Sequence, residues 1–240
     1  MTNKSNTIDL EQIKFKLYEK LKVSGWGDKL KSFILSEDFS KILNYLAKDV
    51  NAGNRFTPVL KQVFRAFEEC PYEKLKVIMI GQDPYPYQGV ADGIAFSCSN
   101  DNKIQASLRY ILKEVEDTVY SFGHYSWQPD LKHWSNQGVL MLNSALTTTI
   151  GKVGQHYDLW KPFITFLLDI LTHYNPGLVY VFMGKKAEEF IKFIPNNNHK
   201  LITTHPAYAA HTDSERWNSN DVFNSVNKIL MNTNNEKIIW

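Results

Sequence analysis

Asp83, Asn143 and His205 bring a carboxylate, an amide and an imidazole to the ends of three short apolar or β-branched runs. Those runs are Lys76-Val77-Ile78-Met79-Ile80, Val139-Leu140-Met141-Leu142 and Leu201-Ile202-Thr203-Thr204. With helical patterns between them, such runs predict parallel strands buried on both faces. The carboxyl ends of the strands in an open parallel sheet share one edge, and ligands bind in the crevice there. Three groups far apart in sequence are therefore expected to be neighbours in space, able to serve one reaction.

The elements around them read as a single α/β domain. Helical apolar spacing covers residues 10–21 and 39–46, and residues 59–67 following Pro58. Ser107 is read as the N-cap of a helix with Leu108, Ile111, Leu112 and Val115 on one face. Residues 160–171 form a helix whose first turn accepts Pro162, residues 178–183 a further strand, and residues 186–193 a short helix. An amphipathic helix over 221–231 closes the pattern. Four strands alternating with helices imply a three-layer α/β/α sandwich around a four-stranded, mainly parallel sheet. No repeat or Pro/Gly-rich linker divides residues 1–240, and residues 1–25 read as a helical or partly flexible extension.

Composition narrows the partners. A net charge of +2 over 240 residues does not mark a nucleic-acid binder, so any phosphate-binding surface must be local. Cys70 and Cys98 are the only cysteines, with no Cys/His cluster at metal-ligand spacing, so no metal site is expected. The same scarcity argues for a reducing compartment. The first nine residues lack the apolar core of a signal peptide, and no run approaches the roughly 20 residues needed to span a bilayer. A cytoplasmic protein that does not enter membranes is expected.

The densest local signal is Gly81-Gln82-Asp83-Pro84-Tyr85-Pro86. A glycine at the strand end permits a sharp turn and the prolines stiffen the loop. An Asp held there could bind a metal, act as a base or cap a turn. Together with three other blocks, this loop resembles the family 1 uracil-DNA glycosylases. Gly89, Ala91, Gly93, Phe96 and Ser97 match the family's small-residue turn leading to Phe-Ser. Asp130-Leu131, Trp134, the run 137–143 and Leu146-Thr147 match the third block, and His205-Pro206 opens the fourth. One such motif alone is weak, but four in order at these spacings are specific. The likeness runs from about residue 26 to the C-terminus.

The resemblance implies an enzyme that everts a deoxyuridine and hydrolyses its glycosidic bond without a cofactor. In that reading Phe96 stacks on the base, and Asn143 accepts from uracil N3–H while donating to O4, the reverse of what cytosine offers. Neighbours must fix the amide's orientation. Tyr85 blocks the methyl group of thymine, and Gln82 adds polar contacts to the base. His205 donates to uracil O2 and stabilises the leaving anion, while Asp83 positions water and stabilises the cationic sugar. No matched position carries a lysine nucleophile, so an abasic site without strand cleavage is expected. Uracil-containing DNA is the implied partner, with a proteinaceous DNA-mimic inhibitor as another, and the chain is expected to act as a monomer.

Three departures affect how DNA is held. Pro86 replaces the usual His, as in poxvirus members of the family, and Tyr87-Gln88 replaces Gly-Pro. The phosphate-gripping segment is reduced to residues 103–107, where Ser107 keeps a hydroxyl and Lys103 a charge. The last loop reads His205-Pro206-Ala207-Tyr208-Ala209-Ala210-His211, so Ala209 stands where the family wedges a Leu into the stack. Tyr208 could insert instead, or pack on the protein. Pro206, Tyr208 and Ala209 are thus candidate DNA-binding residues, and a relative preference for single strands is expected. Gly184-Lys185-Lys186 is a lesser phosphate candidate at a helix start. The alternatives are a DNA-binding or polymerase-accessory subunit on the same fold, or a glycosylase for another modified base.

Overall fold

The computed structural model describes residues 9–101, 103–121, 123–212 and 214–240. In chain order its elements begin with α1 (Leu10–Lys22), α2 (Gly27–Ile34), α3 (Glu37–Asn51), β1 (Phe56–Thr57), α4 (Arg65–Glu69) and β2 (Val77–Gly81). There follow α5 (Ala106–Thr118), α6 (Lys132–Ser135), β3 (Val139–Asn143), β4 (Thr148–Thr149) and α7 (Tyr157–Tyr174). β5 (Val179–Met183), α8 (Lys185–Glu188), β6 (His199–Thr203), α9 (Pro206–His211) and α10 (Val222–Asn232) complete the order.

The main sheet has the order β3-β2-β5-β6, and every neighbouring pair is parallel. Helices cover it, so β2 and β5 are buried along their whole length, as the continuous apolar runs require. One buried apolar cluster extends from Leu21 through the sheet to Trp240. Register then decides where the site lies. Gly81 pairs with Asn143, and Met183 pairs with Thr203. Asn143 at the end of β3 and the segments carrying Asp83, Gly184 and His205 thus lie along one edge of the sheet.

α1 is secured to this body. Lys20 pairs with Glu68 at 2.6 Å, and the Trp26 indole beyond the helix donates to the Cys70 carbonyl at 2.7 Å. No helix among the described residues is long and apolar enough to cross a membrane.

Several expectations need correction. Residues 59–67 are a 3₁₀ turn (Leu60–Gln62) and then α4, broken at Phe64. Val63, Phe64, Ala66 and Phe67 are all buried, and filling that wall of the core outweighs local helix preference. Ser107 is not an N-cap: Gln105 takes that place with extended backbone, and Ser107 is the second helical residue. α7 starts three residues earlier than expected, so Pro162 lies inside it rather than in its first turn. The 186–193 helix is also split, into α8 and a 3₁₀ turn at Ile191–Phe193. The chain after His205, read as a loop, is α9, with Pro206 in its first turn where a missing N–H costs nothing.

Candidate active site

At the end of β2 the backbone is bare by necessity. A Cβ on Gly81 would sit 2.7 Å from Asn143 Oδ1 and 2.9 Å from Phe96 Cζ. Only glycine lets the amide and the ring converge over the strand end. The Asn143 side chain makes no hydrogen bond to the chain among the described residues, so both ends of its amide remain for a ligand. Its Oδ1 faces the bare Gly81 backbone, and no hydrogen bond from the chain among the described residues selects which way the amide is turned.

Phe96 adopts φ of 64°, a left-handed conformation costly for a bulky residue. A buried polar knot holds it there. Asp92 is fully buried and accepts from the Ile94 and Ser99 N–H groups and the Ser97 and Ser99 hydroxyls. Arg65 of α4 meets Asp92 at 2.8 Å and grips both oxygens of Asp130 at 2.9 and 2.8 Å. A buried carboxylate is tolerable only with such pairing and hydrogen bonding. The Tyr85 hydroxyl donates to the Phe96 backbone carbonyl at 2.9 Å, which ties the tyrosine ring to the turn that carries Phe96. Burial, then the neighbouring Cys98, pushes the Tyr85 phenol well above its ordinary value, and it stays a neutral donor.

Asp83 accepts the Gly154 N–H at 2.6 Å through Oδ2. Burial raises its pKa and the Gly154 bond opposes the rise. Beside it the Gly151 N–H donates to the Pro86 carbonyl at 2.7 Å, so the loops over 83–86 and 151–154 are laced together. Gln82 is partly exposed, and its carbonyl accepts from the Ala145 N–H at 3.0 Å.

His205 caps α9. Its Nδ1 accepts from the Ala207 N–H at 3.1 Å, which assigns the ring proton to Nε2. Burial, with His211 adding to it, lowers the imidazole pKa to about 4, so the ring is neutral at pH 7 and offers one N–H. It lies 5.6 Å from the Phe96 ring, centroid to centroid. A Cβ on Gly184 would come within 2.6 Å of His205 Cβ, so that glycine makes room for the histidine. This close approach is by itself a reason for glycine at position 184. Lys186 pairs with Glu189 at 2.9 Å.

The candidate DNA-facing residues divide. Tyr208 is 66% exposed, and Lys103 is exposed. Pro206, Ala209 and Ser107 are buried, so the side chains of Pro206 and Ala209 are covered by the protein itself. Residues that reasoning from sequence passed over are Arg65, Asp92 and Gly154. Asp92 lies inside the matched 89–97 block, and its two neighbouring small residues were the available signal.

An open parallel sheet with an unspent amide, a fixed aromatic ring, a held carboxylate and a neutral imidazole near the carboxyl ends of its strands defines the class: an α/β protein with a candidate ligand site at the sheet edge. The family model of the uracil DNA glycosylase superfamily matches residues 67–230. A uracil-DNA glycosylase of Streptococcus pyogenes serotype M4 (strain MGAS10750) is 33% identical over 184 residues, covering 76% of this chain and 82% of the relative. The crystal structure of mimivirus uracil-DNA glycosylase superposes with a TM-score of 0.80 at 25% identity, covering 92% of this chain and 88% of the other. A tyrosine-to-leucine variant of mimivirus UNG in complex with UGI matches equally well, with a TM-score of 0.80 at 25% identity, covering 92% and 90% of the two chains. The chain belongs to the uracil DNA glycosylase superfamily.

Proposed function

We propose that this protein is a monofunctional uracil-DNA glycosylase of family 1, releasing uracil from DNA and leaving an abasic site. The observation that carries this reading is the convergence over Gly81: the register sets Asn143 beside it and the knot around Asp92 sets Phe96 across from it. A planar base entering there stacks on Phe96 and presents its polar edge to the unspent Asn143 amide, whose acceptor and donor fit uracil N3–H and O4. Tyr85, immobilised through its hydroxyl, occupies the space beside C5 and rejects a methyl group; Gln82 lines the same wall.

Bond breaking places positive charge on the sugar and negative charge on the departing base. The His205 Nε2–H is aimed by the Ala207 bond at the other ring nitrogen and meets uracil O2 as charge grows there. Being neutral, the ring stabilises the anion as a hydrogen-bond donor. The Asp83 carboxylate, held by Gly154, orients the attacking water and faces the cationic sugar. Lys103 and Ser107 mark the phosphate path, and Tyr208 on α9 acts as the wedge, with Pro206 and Ala209 setting that helix in place.

The chain works as a monomeric single domain without a cofactor, and its two buried free cysteines suit the cytoplasm. The mimivirus relative held by UGI supports the further expectation of a protein inhibitor that mimics DNA. A retained base-reading set disfavours both a purely accessory role and excision of another base. The test uses oligonucleotides matched except for uracil, thymine or cytosine at one position. Release of uracil alone, leaving an alkali-labile but unbroken strand, is expected; release of none, or cleavage without alkali, would overturn the reading.

A further inference from the structure

The loop that presents the Gly154 N–H to Asp83 is exposed over residues 151–153, yet it is closed at its neck by the fully buried His156. The His156 Nδ1 lies 2.9 Å from the Thr147 hydroxyl and its Nε2 lies 3.1 Å from that of Thr149, so one ring clasps the loop's end to its beginning. The donors around it fix the direction of every bond. The Trp160 indole donates to Thr147 Oγ1 at 2.7 Å, and the Thr149 hydroxyl donates to Asp49 Oδ2 at 3.2 Å. Thr149 has then spent its proton and can only accept from His156 Nε2–H. Thr147 in turn gives its own proton to Nδ1. One chain results, running from Trp160 through Thr147, His156 and Thr149 to Asp49, with every partner satisfied and the imidazole neutral.

Around His156 stand Asp49 and the Tyr45 ring from α3, Thr147 and Thr149 from β4 and its approach, and Trp160 from α7. Within the loop, Lys152 N–H donates to the Thr149 carbonyl at 2.9 Å and Thr148 Oγ1 to the Lys152 carbonyl at 2.5 Å. After Gly154 the chain passes directly into α7, and the Tyr157 N–H donates to the Gly154 carbonyl at 3.2 Å. Gly154 is thus pinned between the clasp and the helix start, and its N–H makes the one hydrogen bond that the Asp83 side chain receives among the described residues.

We infer that His156 is a positioning residue for Asp83, acting through the Thr147–Thr149 neck and the Gly154 N–H. This rests on the role given to Asp83 above. The clasp never touches substrate; it sets where the carboxylate stands, and a displacement of about 1 Å can cost on the order of 10²-fold in rate.

The test measures steady-state kinetics on a uracil oligonucleotide across pH for His156→Ala, Thr149→Val and Thr149→Ser, each also in an Asp83→Asn background. Thr149→Val should lower kcat about 10–100-fold with KM within about threefold, and Thr149→Ser should restore most of the rate. The acid limb of kcat should move to higher pH in Thr149→Val, because a weakened Gly154 bond no longer opposes the burial of Asp83. No further loss should appear on top of Asp83→Asn. A Thr149→Val protein with a lower Tm but a wild-type kcat and acid limb would overturn the inference, as would a loss undiminished in the Asp83→Asn background. Should His156→Ala fail to fold, the Thr149 pair decides the matter. A wild-type chain inactive on uracil oligonucleotides overturns both readings; an active one with an unaffected Thr149→Val overturns this one alone.

Discussion

The floor of the pocket and its rim are built differently. The floor consists of strand ends locked by register, a glycine whose absent side chain shapes the space, and a ring held by the Arg65–Asp92 knot. The rim at α9 is a six-residue helix presenting a tyrosine that is 66% exposed, with Ala209 turned inward beside it. Gly81, Phe96 and Asn143 in the floor fall within the blocks that resemble the family, while Ala209 in the rim departs from it. Reading a base demands fixed geometry, whereas prising it from a duplex can be done by different side chains or done less well.

The largest effects should come from the two groups set between floor and rim, in the loop after β2 and at the start of α9. Asp83→Asn and His205→Ala are each expected to lower turnover by roughly 10²–10⁴, typical of positioned electrostatic and acid–base groups. Single-turnover kinetics on a single-stranded uracil oligonucleotide checks this without calling on the Tyr208 wedge. Asn143→Asp should instead alter selectivity, raising activity on cytosine at uracil's expense, since a protonated carboxyl offers the reversed hydrogen-bond pattern. Competition between the two substrates measures it, and an unchanged ratio would remove Asn143 from base reading.

The rim should yield a smaller, substrate-dependent effect. Tyr208→Ala is expected to lower kcat/KM about tenfold on duplex and by less than about threefold on single strands, because only duplex needs an inserted side chain. Equal activity on both substrates, untouched by the substitution, would erase the contrast between floor and rim. The smallest effect concerns stability. The folded His205 pKa, about 4, lies below its ordinary 6.5. Between those values the unfolded chain binds more protons, so His205 makes stability fall as pH drops from about 6.5 toward 4. Tm measured across that range should decline less steeply in His205→Gln.

The sequence made the sheet and most of the floor legible because both rest on side-chain identity. Buried strands need unbroken apolar runs, and β2, β3 and β5 began and ended within a residue of expectation. α9, α6 and the two-residue pair of β1 and β4 were not legible, since elements this short are stabilised by what packs on them. Arg65 and Asp92 stand 27 positions apart, and nothing in either residue announces the other. Gly154 was hidden for another reason: it holds Asp83 with a backbone N–H, a group that nearly every residue possesses.

The Arg65 knot also governs how ionic strength reaches the enzyme. Its guanidinium is neutralised from within by Asp92 and Asp130 and lies largely out of water, beyond the reach of mobile ions. It is equally withdrawn from the cations that phosphates could recruit, which leaves that task to peripheral lysines such as Lys103. Added electrolyte should consequently loosen the grip on the DNA strand while the base cradle keeps its shape.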